Sequence, residues 1–238
     1  MDFNTGRGSG EPSRRPDDSS SPLFGSGETG PPRSPAGPSP GGSGGEFSLS
    51  DPINSFVRTT VAVLTRPKEF FRGMSRQGDF INPGVYGLIC GFISALLGGL
   101  VGLVFGSVFS ALSGAEAATG IGGFLVGVIL APIFTAIGLL ITAGVYHLLV
   151  LLLVRPSNGG FEATFRVVCY VSAIQLLTWI PIVNIIAAIY GLYVAYFGIR
   201  EVHATTNQRA AAVVALPVLV VIFFIIFVTG AAILLQFA

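Results

Sequence analysis

The stretch IGGFLVGVILAPIFTAIGLLITAGVYHLLVLLLV, residues 121–154, decides the fold because its 34 residues include no Asp, Glu, Lys or Arg. About 20 such residues, rising 1.5 Å each in a helix, cross the ~30 Å hydrocarbon core of a bilayer. The stretch is too short for two spans and a turn. It therefore predicts one long membrane helix, tilted or bent at Pro132.

Further uncharged segments lie on both sides of this stretch. In the run 167–199, Pro181 removes a backbone donor and Asn184 can cap a new helix, which favours two short spans over one long helix. Each has about 17 residues, the lower limit for spanning, so a re-entrant hairpin is the alternative. The five predicted spans are 84–112, 121–154, 165–181, 184–200 and 212–237.

Charge is too sparse beyond residue 83 for a water-soluble domain. Residues 84–238 contain four basic and three acidic side chains, whereas a soluble domain carries roughly a quarter charged residues. The exterior of this region must therefore face lipid. The sequence predicts an all-α polytopic membrane bundle of five helices.

Basic residues alternate between the predicted loops. Lys and Arg number five in 51–83, none in 113–120, two in 155–166, none in 181–184, two in 200–211 and none at the C-terminus. Because loops rich in Lys and Arg stay in the cytoplasm, the pattern predicts a cytoplasmic N-terminus and an external C-terminus.

Residues 1–50 form the predicted disordered tail. Gly, Pro and Ser make up 30 of these 50 residues, so the segment has too little apolar surface to offset the entropy of ordering. It has no apolar signal-peptide core, and the first span is expected to direct insertion. Phe24 and Phe47 are isolated there; they are interpreted as incidental, and docking points for a partner are the alternative. The tail is a candidate region for recruiting protein partners.

Residues 51–83 combine apolar and basic side chains at helical spacing. Asp51 is a candidate N-cap before Pro52, and Pro67 separates two apolar stripes. Five basic residues lie among them: Arg58, Arg66, Lys68, Arg72 and Arg76. The pattern fits a helix in the headgroup layer of an anionic leaflet, or one packed on the cytoplasmic end of the bundle.

No catalytic motif, cofactor motif or metal-ligand spacing occurs in the sequence, so we expect a non-enzymatic protein without cofactors. His147 is the one ionisable residue deep inside a predicted span, where it serves as a responsive group or as a hydrogen-bonded structural imidazole. Glu162 and Arg166 are expected to pair at i,i+4. The candidate interaction positions are His147, Arg155, Arg166, Pro181, Arg200, His203 and Arg209.

Glycines line one face of the first predicted span. They recur at Gly87, Gly91, Gly98, Gly102 and Gly106. Small residues let another backbone approach closely in lipid. The face is expected to pack against the second span or against another copy of the chain.

The run from His147 to Val214 resembles the YIP (Ypt-interacting-protein) family domain in its prokaryotic form. The family pattern falls on His147, Gly160, Phe161, Thr164, Phe165, Pro181, Gly198, Arg200, His203, Arg209 and Ala210, and RPKEFFRGM (66–74) resembles its segment ahead of the first span. The resemblance covers roughly residues 60–230. It implies five spans and a cytoplasmic N-terminus.

Eukaryotic members of that family bind Rab-type GTPases and shape or traffic internal membranes. The DLYGP-type motif of some of those relatives is absent here, so the resemblance transfers no GTPase site. The match to the prokaryotic form and the Ala- and Gly-rich composition predict a prokaryotic plasma membrane, but for such members the resemblance implies no defined biochemical role. We hypothesise that the protein organises or shapes the bilayer or recruits partners.

The expected contacts of the chain are the bilayer, anionic lipids at the cytoplasmic face and further copies of itself, but no nucleic acid. The alternative function is a small transporter, channel or lipid scramblase. That alternative predicts a polar path between helices, lined by Thr135, Thr142, His147, Gln175 and Thr178.

Overall fold

The computed structural model describes residues 45–113, 120–154 and 159–236. Within these ranges the ordered elements are all helical, and five helices are long and apolar enough to cross a membrane. The predicted all-α membrane bundle with five spans is thus confirmed. The helices are α1 (Pro52–Thr65), α2 (Pro67–Gly73), α3 (Ile81–Ser113), α4 (Ile121–Leu153), α5 (Gly160–Val171), α6 (Gln175–Thr178), α7 (Pro181–Val202) and α8 (Asn207–Gln236).

Helix bounds differ from the predicted spans mainly at polar first turns. α5 begins at Gly160 and α8 at Asn207, both before the apolar runs, because backbone hydrogen bonding does not require apolar side chains. α7 begins at Pro181, not at Asn184, since proline suits the first helical position. The Asn184 N–H bonds the Ile180 carbonyl, and no side-chain cap forms there.

The third span is composite and lies at the centre of the bundle. α5 passes through a 3₁₀ turn, Ser172–Ile174, into α6. It packs between α3, α4 and α7, and α7 packs in turn on α8. Eight consecutive residues of α5, from Ala163 to Tyr170, are buried, whereas α4 and α8 expose most of their apolar side chains. This burial explains why the third span carries the polar groups described below.

Residues 45–50, which the sequence analysis assigned to the tail, pack on the bundle. Phe47 is only 3% exposed and its ring contacts that of Tyr86, so its interpretation as incidental is wrong. Thr59 Oγ1 donates to the Gly45 carbonyl at 2.7 Å, and the Leu49 N–H donates to Asn82 Oδ1 at 3.0 Å. Residues 1–44 lie outside the described part of the chain.

Both α1 and α2 pack against the bundle through one face. α1 buries Ser55, Thr59 and Val63, and α2 buries Phe70 and Phe71. The opposite side of α1 exposes an apolar stripe of Ile53, Val57 and Val61. All five basic residues of this region are also exposed. The two helices are called the α1–α2 wedge below.

Candidate functional site

Arg166, on α5, is the centre of a buried polar cluster. The cluster lies beside the start of α3 and next to the wedge. Arg166 is 4% exposed, and its Nη2 forms an ion pair with Glu46. Nη1 donates to the Asp79 carbonyl at 2.9 Å and lies 4.0 Å from the Asp79 carboxylate. The Tyr170 hydroxyl donates to Glu46 at 3.2 Å. We call Glu46, Asp79, Arg166 and Tyr170 the Arg166 cluster.

The Glu46 carboxylate also accepts a hydrogen bond from the backbone just after α2. Its Oε1 accepts the Ser75 N–H at 2.8 Å, while Oε2 faces Arg166. Glu162 does not make the expected i,i+4 pair with Arg166, and instead accepts the Gly78 N–H. The reason is that Glu46 and Asp79 reach the guanidinium from other segments. The cluster therefore fastens residues 45–50 and the loop before α3 to α5.

A second cluster joins α4, α5 and the end of α7. Thr164 Oγ1 lies 3.2 Å from His147 Nδ1 and 3.1 Å from His203 Nε2. The Gly159 N–H donates to His203 Nδ1 at 3.0 Å. We call His147, Thr164 and His203 the His–Thr–His cluster. It links three helices through one hydroxyl.

Burial holds His203 in its neutral form. The residue is 3% exposed, and desolvation, followed by the nearby His147 and Arg76, lowers the pKa of His203 to about 4. Because Nδ1 accepts a backbone N–H, the proton of the neutral ring must sit on Nε2, which then donates to Thr164. One tautomer is thereby selected by the fold.

The sequence pattern of the Yip1 domain matches residues 61–229. The chain belongs to the Yip1 (YIP) family. Neither the search of curated proteins nor that of solved structures found a match. The His–Thr–His cluster lies wholly inside the Yip1 domain, whereas Glu46 of the Arg166 cluster precedes it.

Among the described residues, Pro181 and Arg200 contact neither cluster. Pro181 is exposed at the opposite end of the bundle, and Arg209 is exposed in the first turn of α8. Arg200 lies 3.9 Å from Glu201, which also pairs with Arg72 of the wedge at 3.3 Å. Arg155 lies outside the described residues.

The glycine face of α3 has two different environments. A Cβ at Gly87 would meet Leu139, and one at Gly91 would meet Thr135, so this half packs tightly on α4. A Cβ at Gly98 would lie 3.8 Å from the Trp179 Cβ, which is ordinary van der Waals contact. Gly102 and Gly106 have no heavy atom within 4 Å of that position in the described structure.

Three of the five residues of the predicted polar path line one cavity, which lies between α4 and α5–α6. They are Thr135, Thr142 and Gln175. The other two are engaged elsewhere, since His147 bonds Thr164 and Thr178 Oγ1 lies 3.3 Å from Ser94 Oγ.

Sequence reasoning missed Glu46 and Asp79. Glu46 is separated from Arg166 by 120 residues, so no local spacing connects them. The available signal was Arg166 itself, because a basic residue flanked by apolar ones needs a carboxylate partner from somewhere in the chain. Glu46, beside the apolar Phe47, was a candidate for it.

Proposed function

We propose that this Yip1-family protein organises or bends the membrane and recruits partners at the cytoplasmic face, without catalysing a reaction. The observation that carries the proposal is the depth reached by the α1–α2 wedge. The Tyr190 hydroxyl donates to the Leu64 carbonyl at 2.7 Å, which places the turn of the wedge beside the middle of α7. From Tyr190 to the end of α7 at Val202, twelve residues extend ~18 Å.

Charged side chains flank that turn. Arg66 and Lys68 are exposed there, and both must remain hydrated or in contact with headgroups. α4, in contrast, exposes Leu148, Leu151 and Leu152 down to its last turns. A bilayer whose hydrocarbon layer covers the apolar residues of α4 but leaves Arg66 and Lys68 outside must be thinner beside the wedge than beside α4. Such an uneven leaflet favours curvature.

The exposed stripe of α1 adds a second support. Ile53, Val57 and Val61 lie on the side of α1 that faces away from the bundle, with basic residues nearby. Apolar side chains bordered by basic ones favour binding to an anionic leaflet. The loop-charge alternation favours the cytoplasmic leaflet.

The test is reconstitution of the full chain into liposomes with a defined fraction of anionic lipid, imaged by cryo-electron microscopy. We expect smaller or tubular vesicles as the protein-to-lipid ratio rises. The variant Arg66→Gln/Lys68→Gln should weaken the effect. The single variants Lys68→Gln, at the turn, and Arg76→Gln, away from both the turn and the exposed stripe of α1, each remove one charge and form the matched comparison. Unchanged vesicle size and shape with the unmodified protein at all ratios would refute the proposal.

Partner recruitment is assigned to the tail. Affinity capture from native membranes should compare the full chain with a chain lacking residues 1–44. Truncation at residue 50 would remove Glu46 and Phe47, which contact the bundle, and would confuse loss of partners with loss of folding. Equal capture by both chains would contradict a role for the tail.

A small transporter, channel or lipid scramblase is the second candidate, and the cavity lined by Thr135, Thr142 and Gln175 favours it. A charged intramembrane residue near the midplane is the usual mark of ion-coupled transport. The lining of this cavity has none. Liposome flux and lipid-scrambling assays distinguish this candidate from membrane shaping.

A further inference from the structure

A cavity of about 520 Å³ lies between α4 and the composite helix α5–α6, closed on one side by Gly191 of α7. Polar groups occur on two of its walls. Thr135 and Thr142 come from α4, and Ser172 and Gln175 come from the opposite wall. The volume falls within the roughly 300–1,000 Å³ of small-molecule sites.

The polar groups are not all satisfied by the protein. The Ser172 hydroxyl donates to the Val168 carbonyl at 3.2 Å. Within the described residues, the side chains of Thr135, Thr142 and Gln175 make no hydrogen bond to protein. An unpaired carboxamide is costly in hydrocarbon, so the cavity requires an occupant that can hydrogen bond.

The bilayer can supply that occupant directly. Thr142 lies near the middle of α4 and is exposed, and Phe134 on the same helix is 66% exposed. The wall of the cavity is therefore continuous with the surface that faces lipid. The lining includes no charged side chain, so nothing there would neutralise a phosphate or an ammonium group.

We propose that this cavity binds the headgroup of one uncharged lipid carrying hydroxyl and ester groups, of the diacylglycerol class. The Gln175 carboxamide offers two donors and an acceptor, and the two threonine hydroxyls complete the hydrogen bonds. The acyl chains remain in the surrounding bilayer. The inference does not depend on the membrane-shaping proposal, since it concerns a different face of the bundle.

The test uses the full chain in phosphatidylcholine nanodiscs with a photoactivatable diacylglycerol. We expect saturable crosslinking to peptides covering residues 134–146 and 167–175. Unlabelled dioleoylglycerol should compete. Dioleoyl phosphatidic acid, with the same acyl chains and a charged headgroup, should not.

Gln175→Leu and Thr142→Val should each weaken the apparent affinity by about fivefold, the effect of one lost hydrogen bond of ~1 kcal/mol. Thr229→Val makes the same change on the exposed part of α8 and should leave crosslinking unchanged. Thr142→Val provides the decisive comparison if Gln175→Leu fails to fold, because Thr142 is exposed.

Three results would overturn the inference. One is label spread evenly over the five spans without competition. Another is equal competition by phosphatidic acid. The third is labelling of a Thr142→Cys variant by a membrane-impermeant maleimide with no diacylglycerol crosslink, which would indicate a water-filled cavity.

Discussion

Arg166 lies in a run of buried residues on α5, yet both of its terminal nitrogens have partners. Separating a buried ion pair is costly because the remaining charge stays desolvated, even where the intact pair contributes little net stability. Glu46 is also largely buried, whereas the Asp79 side chain is about half exposed. The two carboxylates should therefore respond differently to neutralisation.

Glu46→Gln should lower the free energy of unfolding by about 3–5 kcal/mol, because it leaves Arg166 without its buried partner. Asp79→Asn, the control, should have a much smaller effect, since that carboxylate lies 4.0 Å away and is solvated. Thermal unfolding in detergent measures both. The double variant Glu46→Gln/Arg166→Met should recover part of the loss. Equal effects of the two single variants would contradict this account.

His203 should make stability depend on pH. Its folded pKa of about 4 lies below the ordinary value of 6.5, so between these values the unfolded chain binds the extra proton. The contribution is fully present above pH 6.5 and is lost as pH falls towards 4, by up to about 3 kcal/mol. Melting temperatures measured across this range should fall accordingly.

His203→Gln should flatten that slope, because its carboxamide can accept from Gly159 and donate to Thr164 without titrating. Glu69→Gln, at an exposed position of the wedge, should keep the slope of the unmodified protein. Identical slopes in the unmodified protein and His203→Gln would assign the pH dependence to other groups.

At the scale of elements, the packing of α2 and α5 on α7 depends on a glycine. Gly198 is buried on α7, and a Cβ there would overlap the Val167 side chain and lie 3.4 Å from the Phe71 ring. The small residue lets three elements meet. α2 of the wedge contacts α7 at Gly198, and the missing side chain of this glycine lets the wedge pack at that position.

Gly198→Ala should destabilise the protein by about 1–3 kcal/mol, the usual effect of overpacking. Gly102→Ala makes the same change on α3, where no other part of the described structure lies within 4 Å of the added Cβ. It should be neutral or slightly stabilising because alanine favours the helix. Thermal unfolding compares the two. A loss at Gly102 as large as that at Gly198 would show that the open half of the glycine face has a partner.

At the scale of the whole molecule, the short central pair of helices has a defined turn. The third span ends at Thr178 and the fourth begins at Pro181, with Ile182 82% exposed beside the turn. Trp179 Nε1 donates to the Leu176 carbonyl at 2.8 Å, which fixes the indole near this turn. The side of the membrane reached by the turn distinguishes full crossing from a re-entrant hairpin.

Cysteine labelling in intact cells tests the orientation. Ile182→Cys should react with a membrane-impermeant maleimide from outside, and Ser50→Cys only after the membrane is opened. The native Cys90 and Cys169 are buried and provide an unreactive background. Protection of Ile182→Cys from both sides would indicate a re-entrant hairpin, and labelling of Ser50→Cys from outside would reverse the topology.

The sequence predicted the class of fold and the number of spans, because a long uncharged run such as 121–154 is compatible with few structures other than a membrane-spanning helix. It also singled out His147, Thr164, Arg166 and His203 as positions of interest. It did not predict their partners. Thr164 bonds His203 across 39 residues and Arg166 bonds Glu46 across 120, and sequence spacing carries no information at such separations.

The sequence by itself determined that lipid surrounds most of this protein, because the hydropathy of each segment depends only on neighbouring residues along the chain. What only the tertiary structure decided is which polar groups meet, where the wedge lies against α7 and where α4 leaves a cavity. These features depend on how helices pack, and packing is set by side chains that come together only after the bundle has formed.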